Sequence, residues 1–193
     1  MINIAVFASG EGTNAENLFH YFSAGTRVKI KLVVTNNEHA GIVKRAERHK
    51  KNVQIISKTA LINYTGQIID FLRAEKVDMI VLAGFLLKIP EALIKEYPNR
   101  IINLHPSLLP KYGGKGMYGS HVHAAVLAAG EKESGITVHY VNEHYDEGKH
   151  ILQAKSLISD RETVESLAQK IHQLEYDFFP KAVEMAIKEQ FGQ

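Results

Sequence analysis

The chain contains no cysteine. That excludes disulfides, thiolate metal sites and a cysteine nucleophile, and it suits a reducing compartment. No apolar run approaches the roughly 20 residues that a membrane-spanning helix requires. The N-terminal stretch MINIAVFASG enters an alternating strand at once, without the basic and apolar regions of a signal peptide, so a cytoplasmic protein is expected. Charge of one sign is also scarce. A formal net charge of +2 is too small to imply a nucleic-acid or membrane partner. Repeats, low-complexity tracts and linkers are missing too, so a single domain over residues 1–193 is expected, in halves of 1–100 and 101–193.

What is present is a strand–helix alternation. Apolar strands are expected at 2–8, 28–35, 53–56, 77–82 and 101–103. Helices are expected between them at 13–22, 41–50, 64–75 and 90–97, the last with Pro90 in its first turn. Near-continuous apolar strands separated by helices indicate an α/β fold, a Rossmann-like, mostly parallel open sheet with helices on both faces. The pattern changes after Asn103. A Pro/Gly-rich loop occupies 104–120, followed by a helix at 121–129. Strands at 135–141 and 150–158 then read as an antiparallel pair in the C-terminal half. Residues 162–189 read as one long helix, or as two interrupted at Pro180.

Two segments carry chemistry. Ser9-Gly10-Glu11-Gly12-Thr13-Asn14 joins the first strand to the first helix, where glycines permit a tight turn and helix N–H groups attract an anion. A phosphate or carboxylate ligand is one reading, and a simple turn capped by Thr13 or Asn14 is the other. The dinucleotide fingerprint is not met, because Ala15 stands at its third glycine and Asn36-Asn37 replace the acidic ribose partner. The second segment, Asn103-Leu104-His105-Pro106-Ser107-Leu108-Leu109-Pro110, places an amide and an imidazole two residues apart at a strand end. Alternation puts both on one side, and open α/β sheets bind ligands at the strands' carboxyl ends. Histidine moves protons near neutrality, and asparagine donates to an oxyanion without titrating. A core histidine bonded to backbone is the competing reading. Asp146, in an Asp-x-Gly turn, is either a solvated loop acid or a carboxylate that raises an imidazole's pKa.

Ten histidines invite a metal reading. His121, His123 and His144 offer ligands, but no grouping has a metalloenzyme spacing, so no metal is expected. His139, in an alternating strand, reads as structural. The run Lys44-Arg45-Arg48-His49-Lys50-Lys51 lacks clustered aromatics and reads as a solvated helix face rather than a nucleic-acid surface.

Taken in order, Ser-Gly-x-Gly-Thr-Asn, Val81-Leu82-Ala83-Gly84-Phe85, the Asn103–Pro110 element and Asp146-x-Gly148 resemble the folate-dependent formyltransferases over essentially the whole chain. The resemblance implies transfer of formyl from 10-formyltetrahydrofolate, as co-substrate, to the amine of 5'-phosphoribosylglycinamide in purine (IMP) biosynthesis. It makes Asn103, His105 and Asp146 the catalytic residues. Asn103 and protonated His105 would stabilise the tetrahedral oxyanion, and Asp146 would raise the histidine's pKa. It places the ribonucleotide phosphate on Gly12, Thr13 and Asn14 and its glycinamide end near Glu175. Folate would lie against Leu86, Leu87, Lys88 and Ile89 and against Asn142, Glu143, His144, Tyr145 and Asp146. Small-molecule substrates, no nucleic acid, no membrane and a monomer or weak homodimer follow from the same resemblance.

Three departures from the family pattern stand out. Gly113-Gly114-Lys115-Gly116-Met117-Tyr118-Gly119 is longer than the usual loop and reads as a flap. The folate-side arginine has no counterpart near Lys58 or Leu61, and Glu143-His144-Tyr145 replaces an acidic-leucine sequence. Methionyl-tRNA formyltransferases add a C-terminal domain and formyltetrahydrofolate deformylases an N-terminal one, and neither is expected in so short a chain. A non-catalytic phosphate-binding module would need only the glycine loop.

Overall fold

In the computed structural model, which describes residues 1–23 and 27–192, the strands form because their residues have nowhere else to go. β1 (Ile2–Phe7) and β4 (Met79–Leu82) are buried along nearly their whole length. Strands buried on both faces need cover on both faces, which helices returning between parallel strands supply. The chain divides into two compact units, Met1–Asn103 and Leu104–Gln193.

In the first unit, β1 pairs in parallel with β2 (Val28–Thr35) and with β4, and β2 pairs with β3 (Asn52–Ile55). β4 pairs in parallel with β5 (Ile101–His105). The helices are α1 (Thr13–Tyr21), α2 (Gly41–Arg48), α3 (Lys58–Asn63), α4 (Thr65–Ala74) and α5 (Glu91–Glu96). The apolar pattern does not predict α3. Its signal is local: the Ser57 hydroxyl accepts from the Ala60 N–H at 3.1 Å, an N-cap that needs no long apolar stripe. β5 also runs two residues beyond the expected Asn103, so Leu104 and His105 belong to the strand and not to the expected 104–120 loop.

The second unit holds α6 (Ser120–Ala128), the antiparallel pair β6 (Glu133–Tyr140) and β7 (His150–Leu157), and α7 (Val164–Phe191). The strand order of the seven-stranded sheet is β3-β2-β1-β4-β5-β6-β7. This is the expected mostly parallel, Rossmann-like sheet with an antiparallel pair in its C-terminal half. α7 is one helix of 28 residues that continues through Pro180. Proline there removes a backbone bond to the carbonyl four residues earlier, a cost usually sufficient to break a helix. Burial outweighs it, because Phe179, Pro180, Ala182, Val183 and Ala186 on this stretch are buried and α7 packs on α6, β6 and β7. A capping box at Thr163 and Ser166 fixes the helix start. Among the described residues, no helix is long and apolar enough to cross a membrane.

Phe179 is fully buried. Its replacement by alanine should cost about 3–5 kcal/mol, read as a lower urea midpoint with an unchanged m-value.

Candidate active site

In the second unit, one carboxylate organises four segments. Asp146 lies between two buried imidazoles, with His105 Nδ1 at 3.6 Å from Oδ2 and His139 Nε2 at 3.5 Å from Oδ1. The Gly114 N–H donates to the same Oδ2 at 2.8 Å. Asp146 adopts a left-handed backbone (φ 56°), a region that aspartate tolerates better than most residues. Two residues on, Gly148 packs against the end of β6, where an added Cβ would lie 1.7 Å from the Tyr140 carbonyl oxygen. No side chain fits there. Burial works to raise the Asp146 pKa, but the His139 hydrogen bond, the His105 charge and the Gly114 N–H outweigh it and hold the carboxyl below its usual range.

His105, at the end of β5, is 4% exposed. Its Nε2 donates to the Tyr112 carbonyl at 2.8 Å, which places a proton on that nitrogen. Burial pushes the His105 pKa below its ordinary value, although Asp146 and the Tyr112 carbonyl both pull upward. The sign expected for Asp146 is therefore present, but desolvation exceeds it, and the resting imidazole is biased toward neutrality. The loop after His105 is held from below. Ser107 Oγ donates to the Lys111 carbonyl at 2.7 Å, and Thr137 Oγ1 donates to the Ser107 carbonyl at 2.7 Å. Asn103 shares β5 with His105 and, by alternation, its side of the strand.

Glu175 is buried on α7, 2.9 Å from His172 Nδ1, and that hydrogen bond raises the His172 pKa. The 142–146 loop exposes Glu143, His144 and Tyr145, while the Asn142 side chain accepts from the His144 N–H at 3.0 Å. Among the described residues, none of His121, His123 and His144 falls in a metal-competent grouping. His123 is buried on α6, and its pKa is lowered by burial.

In the first unit, Gly12 has φ 76° and is the N-cap of α1, with no side-chain cap hydrogen bond. A Cβ there would meet Ile42 at 2.5 Å, so glycine is required on both counts. Ser9 Oγ donates to Asn36 Oδ1 at 2.5 Å and accepts from the Leu86 N–H at 2.9 Å, tying the glycine loop to the 84–89 segment. In that segment Leu86 and Lys88 are exposed, Leu87 is half-buried and Ile89 belongs to the core. An exposed leucine held by a fixed backbone suits contact with an apolar ring face.

The formyl transferase family model matches residues 2–183. The chain belongs to the formyl transferase family. Among similar members, a Bacillus subtilis phosphoribosylglycinamide formyltransferase is 34% identical, with 97% of this chain and 95% of that protein covered. A chloroplastic phosphoribosylglycinamide formyltransferase of Arabidopsis thaliana is 37% identical over 93% of this chain. The chain spans 63% of that plant protein, under two thirds of its length. A crystal structure of glycinamide ribonucleotide transformylase 1 from Geobacillus kaustophilus superposes with a TM-score of 0.87 at 32% identity, covering 96% of this chain and 98% of that one.

Two residues make contacts that the local sequence pattern does not reveal. His139 is buried, as its structural reading expects, and its ring faces Asp146 at 3.5 Å. The available signal is its place near the end of the strand that precedes the Asp146-x-Gly148 turn. Arg45 was assigned to a solvated face, yet it is half-buried and donates to the Glu11 carbonyl at 2.7 Å. Lys44, Arg48 and Lys50 do lie exposed.

The depressed His105 pKa has a stability consequence. Below the ordinary histidine value of 6.5, the unfolded chain takes up a proton that folded His105 resists. The contribution is complete above that value and is lost as pH falls from it through the lower folded value. Urea unfolding at pH 5 to 8 should show a shallower acid-side loss in His105→Gln than in the wild type. Parallel curves would contradict the assignment.

Proposed function

We propose that the chain transfers the formyl group of 10-formyltetrahydrofolate to the amine of 5'-phosphoribosylglycinamide. The observation that carries this reading is His105, buried at the end of β5 and facing the half-buried Asp146, in a chain similar throughout to relatives that bear that enzyme's name. The substrate amine attacks the formyl carbon, a C–N bond forms, and the carbonyl oxygen takes the negative charge. Asn103 donates an amide N–H to that oxygen, and His105 donates from Nε2. The Nε2–H that now donates to the Tyr112 carbonyl has to turn to the substrate oxygen instead, so the 111–119 loop yields its hold during turnover. When His105 takes up a second proton it sits on Nδ1, toward Asp146. Collapse breaks the bond between the formyl carbon and folate N10. The proton lost by the attacking amine ends on N10, by way of a water ordered by Asp146, and the reaction needs no covalent enzyme intermediate and no metal.

Gly12, Thr13 and Asn14 take the phosphate, because the uncapped start of α1 carries N–H donors and the positive end of the helix dipole. Glu175 takes the glycinamide end. For the pterin co-substrate, the first unit offers the exposed face of Leu86 with Leu87 and Lys88, and the second unit offers exposed Tyr145 with Asn142, Glu143 and His144. Ile89 supports the Leu86 segment from the core.

Steady-state assay by folate absorbance, with and without 5'-phosphoribosylglycinamide, tests the reaction. Turnover should require the acceptor, and equal turnover without it would mark a hydrolase instead. His105→Ala and Asp146→Asn should each lower kcat by about 100-fold or more while leaving phosphate binding intact. Near-wild-type transfer by either purified variant would remove the catalytic assignment.

A further inference from the structure

The α2 helix carries a run of cations that the proposed reaction does not use. Exposed Lys44, Arg48 and Lys50 need no explanation beyond solvation, but Arg45 differs. Its side chain is 23% exposed and bridges two groups of the glycine loop and α1. Nε donates to the Glu11 carbonyl at 2.7 Å, and Nη1 pairs with the Glu16 carboxylate. Glu16 in turn donates its backbone N–H to the Gly12 carbonyl at 2.9 Å. One residue earlier in the loop, the Gly10 carbonyl accepts from the Ile42 N–H at 3.1 Å.

These bonds fix the direction of two successive peptide groups. In a trans peptide the carbonyl and the N–H point opposite ways. The carbonyls of Gly10 and Glu11 are both turned onto α2, so the N–H groups of Glu11 and Gly12 are turned away from it. Successive N–H groups on one side form a concavity suited to an anion. A flip of the 11–12 peptide would instead present a carbonyl oxygen, which repels phosphate. The Ile42 bond restrains only the first of these peptides, and Arg45 restrains the second.

The Glu16 carboxylate is also part of a grouping with His20 and His49 whose ligand atoms lie within 4.8 Å of one another. Arg45 and Arg48 already bring two guanidinium groups to that carboxylate, with Arg48 Nη2 at 3.4 Å. Their charge opposes a divalent ion there. The cluster is better read as the anchor of Arg45 than as a metal site.

We infer that Arg45 is a positioning residue for phosphate recognition, holding the 11–12 peptide so that its N–H, and not its carbonyl, faces the ligand. This rests on the proposed phosphate role of Gly12, Thr13 and Asn14. Arginine is required rather than any cation, because one planar group must serve a carbonyl and a carboxylate together.

The test is steady-state kinetics of Arg45→Ala and Arg45→Lys with each substrate varied, together with inhibition by inorganic phosphate. Arg45→Ala should raise the KM for 5'-phosphoribosylglycinamide and the phosphate inhibition constant by about 10-fold. Its kcat and folate KM should stay within about twofold, and Arg45→Lys should fall between it and the wild type. Glu16→Gln leaves the arginine in place but weakens its anchor. It should raise the same two constants by about threefold, and it decides the matter if Arg45→Ala does not fold. Unchanged constants in folded variants, or a kcat that falls in step with the rise in KM, would overturn the inference. If phosphate does not inhibit the wild type, the phosphate reading of the loop fails and this inference falls with it. If phosphate inhibits wild type and Arg45→Ala equally, only the role of Arg45 fails.

Discussion

The desolvated charge of Asp146 is the constraint on which the second unit's polar cluster depends. A carboxylate removed from water is costly unless its oxygens are met by donors. Here the Gly114 N–H, from the loop that follows His105, donates to Oδ2, and two imidazoles from different strands stand at 3.5 and 3.6 Å, His105 donating only when its Nδ1 is protonated. Meeting them imposes conditions elsewhere. The turn must enter the left-handed region at Asp146, Gly148 must lie flush against the Tyr140 carbonyl, and Gly114 must bring its N–H to Oδ2. The left-handed turn at Asp146 and the close packing of Gly148 accompany one largely desolvated carboxylate. Strained conformations of this kind persist only where surrounding contacts over-determine them.

The first unit solves the complementary problem with backbone dipoles instead of a formal charge. Its glycine loop directs carbonyls onto α2 and leaves α1 without a side-chain cap. Gly12 is glycine because its φ is positive and because Ile42 occupies the space of a Cβ. Ser9 then links this loop to the 84–89 segment through one hydroxyl that both donates and accepts. The loop is thus built from both sides, by α2 and by the end of β4.

How much of this was legible in the sequence depended on whether the cause was local. Buried parallel strands show as apolar runs, so β1, β2, β4 and β5 were readable, as was the change to an antiparallel pair after the Pro/Gly-rich loop. The Ser57 cap of α3 was also local, but a six-residue helix has too short an apolar pattern to stand out. Pro180 pointed toward a break that tertiary packing on β6 and β7 overrides, and sequence reading left one helix or two open for that reason. The contacts of His139 and the departure of Arg45 from a solvated face are illegible for the opposite reason: their partners lie seven and 34 residues away. Nothing in the immediate neighbourhood of Arg45 separates it from Lys44 or Arg48. Only the fold turns one of these cations inward.

The His105 proton balance then gains a mechanistic sense. A histidine meant to stabilise an oxyanion should be cationic when the charge develops, yet burial holds its pKa down at rest. If Asp146 fully overcame that burial, the imidazolium would be equally stable before and during reaction and would contribute only uniform binding. Catalysis requires an interaction that strengthens in the transition state. In the proposed reaction the missing increment is the oxyanion itself. Its negative charge arrives at Nε2 on the side opposite Asp146, so the imidazole is flanked by two anions only while the tetrahedral species exists. Proton affinity then rises when the chemistry needs it, and falls again on collapse. A resting imidazole biased toward neutrality is therefore consistent with the proposed role, and the weak 3.6 Å approach of Asp146 leaves room for the pair to tighten as charge develops.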